Sequence, residues 1–163
     1  MKDLFGKAIL DYQTNNEPED LITETSISEE DEMSVAYLFR NYDEMPSIEQ
    51  KALQLAKGKI LDVGCGAGSH SLSLQNDRNL DVTSIDISEN AIQACKLRGL
   101  KNARVQDLMT LENEKFDTIL LLMNGTGIFK TLKETPDFLQ KLKNLLNPNG
   151  QILIDSSDII YMF

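Results

Sequence analysis

From Lys59 onward, short apolar runs alternate with stretches of helical periodicity. The runs cover 60–63, 82–85, 103–105, 118–123 and 152–154, and the helical patterns 68–76, 88–98 and 135–146. Short continuous apolar runs suit strands covered on both faces, and their alternation with helices predicts βα units around a parallel sheet. Pro148-Asn149-Gly150, just before the last run, reads as a turn, because Pro fixes φ and Asn-Gly tolerates positive φ.

The first third of the chain follows other rules. Residues 2–14 place Leu4, Phe5, Ala8, Ile9 and Tyr12 at helical spacing. Residues 15–34 are polar and acidic, with a breaker at Asn15-Asn16-Glu17-Pro18 and a charge run at Glu29-Glu30-Asp31-Glu32, and read as a loop or mobile cover. A second helix is predicted over 47–57, with Ser47 as its cap and Ile48, Ala52, Leu55 and Ala56 as its stripe. The division expected is an acidic, helical and irregular arm over 1–57 and an α/β unit over 58–163.

Composition narrows the class. With 163 residues, 41% hydrophobic and 26% charged, the chain has the size and make-up of one globular domain. Its longest apolar run, Ile119 to Met123, falls far short of the roughly 20 residues that span a bilayer, and the start of the chain carries no apolar signal segment. A cytoplasmic protein is expected. Cys65 and Cys95 offer neither a metal-ligand spacing nor a disulfide framework. The net charge of −10 lies entirely in residues 1–50, where thirteen acidic residues face three basic ones. With no basic patch to neutralise phosphates, nucleic acid is disfavoured as a partner.

The chemistry concentrates after the first run, at Asp62-Val63-Gly64-Cys65-Gly66-Ala67-Gly68. In doubly wound sheets the first βα turn borders the ligand, and glycines let backbone approach it closely. The spacing here is G-x-G-x-G, whereas the dinucleotide fingerprint G-x-G-x-x-G would need its third glycine at Ser69. An acid two positions before the first glycine suits a positively charged amino-acid group rather than a pyrophosphate.

The stretch Ile60-Leu61-Asp62-Val63-Gly64-Cys65-Gly66-Ala67-Gly68 resembles the first motif of the class I S-adenosylmethionine-dependent methyltransferases. The resemblance spans 59–155 and implies a Rossmann-like, mostly parallel sheet of order 3-2-1-4-5. It also implies that Asp62 and the Gly64 backbone hold the methionine end of the cofactor, with Cys65 beside them, while Gly66 and Gly68 make room for adenosine and ribose. Asp86 would accept the ribose hydroxyls and Asp107 would meet the adenine amino group, with Ile87 and Leu108 next to them in the cofactor contact. Alternatives stay open for both acids, since Asp86 could cap the following helix and Asp107 could be a solvated loop acid. Asn124, after the fourth strand, would face the transferred methyl and the cofactor, and is either an acceptor-orienting amide or a turn residue. No Asn-Pro-Pro-aromatic pattern occurs there, which points away from exocyclic amines of bases and side-chain amides, and toward a small-molecule acceptor.

His70, the single histidine, is suited to proton transfer near neutrality, but its place at the start of a helix disfavours an imidazolium. Cys65 and Cys95 read as packed small hydrophobes. Arg40 pairs either with the cofactor carboxylate or with an acidic neighbour. The Tyr37-Leu38-Phe39 patch either covers adenosine or seals the core. Enzymes of the resembled family continue with a helix and an antiparallel strand pair, so a chain ending at Tyr161-Met162-Phe163 is expected to be shortened. The reaction implied is in-line displacement on the sulfonium methyl, releasing S-adenosylhomocysteine. A non-catalytic cofactor- or partner-binding module and an NAD- or nucleotide-binding domain are the alternatives, and oligomeric state stays open.

Overall fold

In the computed structural model, which describes residues 3–25, 28–158 and 160, the chain opens with helix α1 (Leu4–Thr14). Asp3 caps it by accepting the Gly6 N–H at 3.0 Å, and Asn15 closes it in a left-handed conformation. Its buried residue Ile9 packs with Val35, Leu38, Ala67, Ala91 and Ala94. Residues 15–34, predicted as a loop, instead carry an antiparallel hairpin, β1 (Leu21–Thr25) and β2 (Ser28–Met33). Leu21 and Met33 stand opposite one another at its base and lean on the Ile9 cluster, while Ile22 stays exposed. Asp20 fastens that base by accepting the Val35 N–H at 2.8 Å and the Ser34 hydroxyl at 3.2 Å. With so few apolar positions, the hairpin has no alternation to announce it.

A 3-10 stretch, Val35–Phe39, leads toward α2 (Ser47–Leu55). Ser47 is the first helical residue rather than the cap; Pro46 holds the cap position without a side-chain hydrogen bond. Then follow β3 (Lys59–Val63), α3 (Ser69–Asn76), β4 (Asp81–Asp86), α4 (Glu89–Leu97), β5 (Ala103–Val105), β6 (Phe116–Leu121), α5 (Thr135–Leu145) and β7 (Leu146–Ile154). The five strands from β3 to β7 pair in parallel in the order β5-β4-β3-β6-β7, which is 3-2-1-4-5 counted within the sheet. Order reverses between β3 and β6, so the ligand crevice of such a sheet belongs at the carboxyl end of β3.

Two strand ends differ from the pattern. The fourth run stops at Leu121, because Met123 and Asn124 turn into the left-handed region, with φ of 61° and 62°. The fifth strand begins earlier than its apolar run. Its ladder jumps from Leu146 opposite Phe116 to Gln151 opposite Thr118, and Asn149 within the bulge has φ of 63°. The turn chemistry of Pro148-Asn149-Gly150 therefore acts inside a strand.

The sheet is apolar on both faces. On β3, Leu61 and Val63 join Phe116, Ile119, Leu121, Phe138 and Leu142, whereas Ile60 joins Leu53, Leu74, Val82 and Leu120. Each fully buried side chain of this size contributes roughly 1.5–3 kcal/mol, well above a half-buried surface ion pair such as Lys59 with Glu114. Asp62 continues the Ile60 face toward the end of β3, and there the apolar rule breaks. Among the described residues no helix is long and apolar enough to cross a membrane.

Candidate ligand-binding crevice

The loop after β3 is held by backbone. Gly64 and Cys65 both donate to Ile85 O, at 2.8 and 3.1 Å, and Gly68 N–H donates to Cys65 O at 2.8 Å. Gly64 has φ of +70°, and a Cβ there would stand 3.1 Å from Ile128 Cδ1, across the crevice. Gly68, with φ of +82°, faces the other way: its Cβ would meet Leu100 Cδ1 at 2.7 Å and Cys95 Sγ at 2.9 Å. It borders neither of the cavities described next. Gly68 thus serves the packing of α3 on its neighbours. Arg98 bolts the loop to the arm, donating to Ala67 O at 2.5 Å beneath the Phe39 ring.

A cavity of about 560 Å³ opens on one side of Gly64, bordered by Asp62, Cys65, Gly66, Arg40, His70 and Asn124. Asp62 is 2% exposed and accepts the Ser71 hydroxyl at 2.6 Å, and Ser84 donates onward to Ser71 at 2.7 Å. Burial pushes the Asp62 carboxyl above its ordinary value, and the nearby His70 and the Ser71 hydrogen bond oppose the rise without cancelling it. Beside it lies a buried chain of charges. Arg40 Nη2 grips both oxygens of Glu49 at 2.5 Å, and His70 Nε2 lies 2.6 Å from Glu49 Oε2. Of the two partners open to Arg40, the structure supplies the acidic neighbour. Its guanidinium also covers the Tyr37 ring at 3.8 Å, yet its buried Nε keeps no partner among the described residues. Nothing in the sequence near Glu49, nine residues from Arg40 and 21 from His70, marks it out.

On the other side of Gly64 a groove of about 300 Å³ runs past Asp86, Ile87, Gln106, Asp107 and Leu108. Asp86 accepts the Gly66 N–H at 3.0 Å and the Ser88 N–H at 2.9 Å. The cap of α4 is Ser88, which accepts the Ala91 N–H, so Asp86 stands at the strand end with accepting capacity left over. Asp107 accepts the Met109 N–H at 2.7 Å and caps the short turn Leu108–Thr110.

Asn124 borders the first cavity, but its Oδ1 already accepts the Ser157 N–H at 2.8 Å and hydroxyl at 2.7 Å. Asp155, which sequence reasoning missed, holds the same turn by accepting the Met123 and Gly125 N–H groups at 3.1 and 3.2 Å, and also borders the cavity. Leu38 seals the core, Tyr37 lines the first cavity, and Phe39 packs on Tyr12 at 4.6 Å; none of the three reaches the Asp86 groove. Cys65 and Cys95 are buried with their sulfurs 3.9 Å apart. Tyr161, Met162 and Phe163 lie outside the described residues. Among the described residues no group of acidic, His or Cys side chains is placed to hold a metal ion.

The two compartments meet at Gly64 and differ in chemistry. The first offers buried charges of both signs, suited to a zwitterionic amino-acid group. The second offers strand-end carboxylates between apolar walls, suited to hydroxyls and a flat ring.

A methyltransferase-domain family model matches residues 55–161. A SAM-dependent methyltransferase from Bacteroides fragilis, crystallised with S-adenosyl-L-homocysteine, is 45% identical and superposes with a TM-score of 0.92 over 99% of this chain and 68% of that one. The ubiquinone biosynthesis O-methyltransferase of Xanthomonas oryzae is 27% identical over 115 residues, which are 64% of this chain and 45% of that protein. The chain thus spans under half the length of such sequence relatives. A sugar N-methyltransferase from Streptoalloteichus shares the fold, with a TM-score of 0.62 at 17% identity over 84% of this chain and 59% of its own.

Proposed function

The chain belongs to the methyltransferase-domain family of class I S-adenosylmethionine-dependent methyltransferases, and on that footing we propose that it transfers a methyl group from S-adenosylmethionine to a small-molecule acceptor. The reading is carried by the crevice at Gly64, where a charged cavity and an acid-edged groove meet at the end of β3. Its fit to the cofactor rests on features of the chain: a glycine where a Cβ would crowd Ile128, a buried carboxylate at Asp62, and the unpartnered Arg40 Nε. Asp62 and the Gly64 backbone would hold the ammonium of the methionine part, and Arg40 Nε would meet its carboxylate. Asp86 would accept ribose hydroxyls, and Asp107, Ile87 and Leu108 would border the adenine.

When bound, S-adenosylmethionine supplies a methyl already activated on a positive sulfur, so alignment and exclusion of water do most of the work. The residues of the first cavity perform that work. Leu122, Met123 and Asn124 form its floor beyond β6, while Phe5, Met33 and Ile48 wall it from the arm and α2. A half-open chamber of about 560 Å³ suits a small molecule.

Titration calorimetry on the full chain tests the reading. S-adenosylhomocysteine is expected to bind in the range of roughly 1 μM–1 mM common for such ligands, with no heat from NAD. Binding of NAD, or of neither S-adenosylmethionine nor its product, refutes it.

A further inference from the structure

His70 is the chain's single histidine, and methyl transfer as described leaves it without a task. It stands in the first turn of α3, just beyond the glycine loop, and lines the cavity it shares with Asp62 and Asn124. Its Nε2 faces a Glu49 carboxylate that Arg40 holds by both oxygens. Burial works against ionisation of Glu49, but the hydrogen bonds from His70 and Arg40 outweigh it and hold the carboxyl below its ordinary value. An ionised carboxylate only accepts hydrogen bonds, so Nε2 carries the hydrogen and, in the neutral ring, Nδ1 carries the lone pair. Among the described residues Nδ1 takes no hydrogen bond. A base oriented by a carboxylate, itself oriented by a third group, is the arrangement that readies a hydroxyl for attack.

Resting on the methyl-transfer reading, we propose that His70 is the general base of the reaction, with Glu49 and Arg40 as its positioning residues, and that the acceptor is a small molecule methylated on a phenolic hydroxyl. A neutral amine attacks with a lone pair it already has. A hydroxyl gains its nucleophilicity as its proton leaves, and a phenol lies within reach of an imidazole base. As the acceptor oxygen bonds to the methyl carbon, the O–H electron pair stays on oxygen and the proton passes to Nδ1. The carbon–sulfur bond breaks with its pair on sulfur. The imidazolium then lies beside Glu49 from α2 and Asp62 from β3, with Arg40 behind Glu49, and returns its proton to water. The competing account is that the three residues only fasten the arm to α3.

The test uses the full chain with labelled S-adenosylmethionine, catechol, a nitro-substituted catechol already ionised at neutral pH, and ethanolamine. Catechol is expected to be methylated. His70→Asn should lower that rate by about 100-fold while leaving the affinity for S-adenosylhomocysteine within about threefold. The penalty should shrink at least about tenfold for the nitro-substituted catechol, whose proton is already gone, a pattern no fastening role produces. Glu49→Gln should displace the acid limb of the pH–rate profile. Independently of turnover, nitrogen NMR of the one imidazole, with S-adenosylhomocysteine bound, should show hydrogen on Nε2. Hydrogen on Nδ1 alone, an equal penalty for both phenols, preference for the amine, or no phenol methylated between about pH 6 and 9 overturns the proposal. Failure of wild type to bind S-adenosylhomocysteine strikes the cofactor reading instead.

Discussion

Around Asp62 two carboxylates are buried and already engaged by side chains, Asp62 by Ser71 and Glu49 by Arg40 and His70. Beyond Gly64, Asp86 is half-buried, Asp107 is exposed, and both hold only backbone N–H groups. The first half of the crevice is thus assembled by the fold before any ligand arrives, and its charges depend on one another. The second half is a pair of strand ends whose acids keep capacity to spare. Damage to the Arg40–Glu49–His70 chain of the first half should therefore register as lost stability, and damage to the second half as lost affinity.

The sharpest way to break that contrast is Glu49→Ala. It strands the buried Arg40 guanidinium and should cost about 3–5 kcal/mol in urea unfolding. The pH dependence follows from the sign of the shift. The Glu49 carboxyl sits below its ordinary value of 4.5, so its stabilisation is present above that value and fades as pH falls through the lowered one. Glu49→Gln should flatten that acid limb. Asp86→Ala should do the reverse of Glu49→Ala, weakening S-adenosylhomocysteine by about 10- to 100-fold, in keeping with roughly 1.5–3 kcal/mol for hydrogen bonds to a charged group, with a smaller change in unfolding midpoint. If its stability loss exceeds its affinity loss, the contrast between the halves is wrong.

Gly64→Ala probes the boundary itself. A left-handed alanine costs about 1–2 kcal/mol, and its methyl would press Ile128, so stability and affinity should fall together. The smallest effect is expected at Asp62→Asn, and with opposite sign. Burial holds the Asp62 carboxyl above its ordinary 3.8, so its ionisation lowers stability as pH rises from there through the raised value. Removing the charge should raise the unfolding free energy in urea near neutrality by about 0.5–2 kcal/mol, while ligand affinity drops. A less stable Asp62→Asn protein would show that the charge supports the fold.

How much of this was legible in the sequence depends on the range of the interaction. The parallel sheet was readable because each strand, as at Ile60 to Val63, carries its own apolar run, and the loop because Asp62 to Gly68 is contiguous. The packing role of its third glycine was not legible, since only the fold brings Gly68 against Leu100 and Cys95. The β1–β2 hairpin was invisible because it packs on the core through only two apolar residues, Leu21 and Met33. Glu49 was one of thirteen acids in the first fifty residues, and its meaning comes from partners that folding brings to it. Asp155 matters because β7 lies beside β6, a fact of sheet order with no local signature.

Phe5, Met33 and Ile48 wall the first cavity from outside the sheet, on α1, β2 and α2. Phe5 and Ile48, which lie on helices, can change size or polarity without disturbing a strand, the Gly64 loop or the Asp86 groove. Selection can then retune what the chamber admits while the donor side stays fixed, which makes the arm the place where lineages sharing this scaffold are expected to diverge.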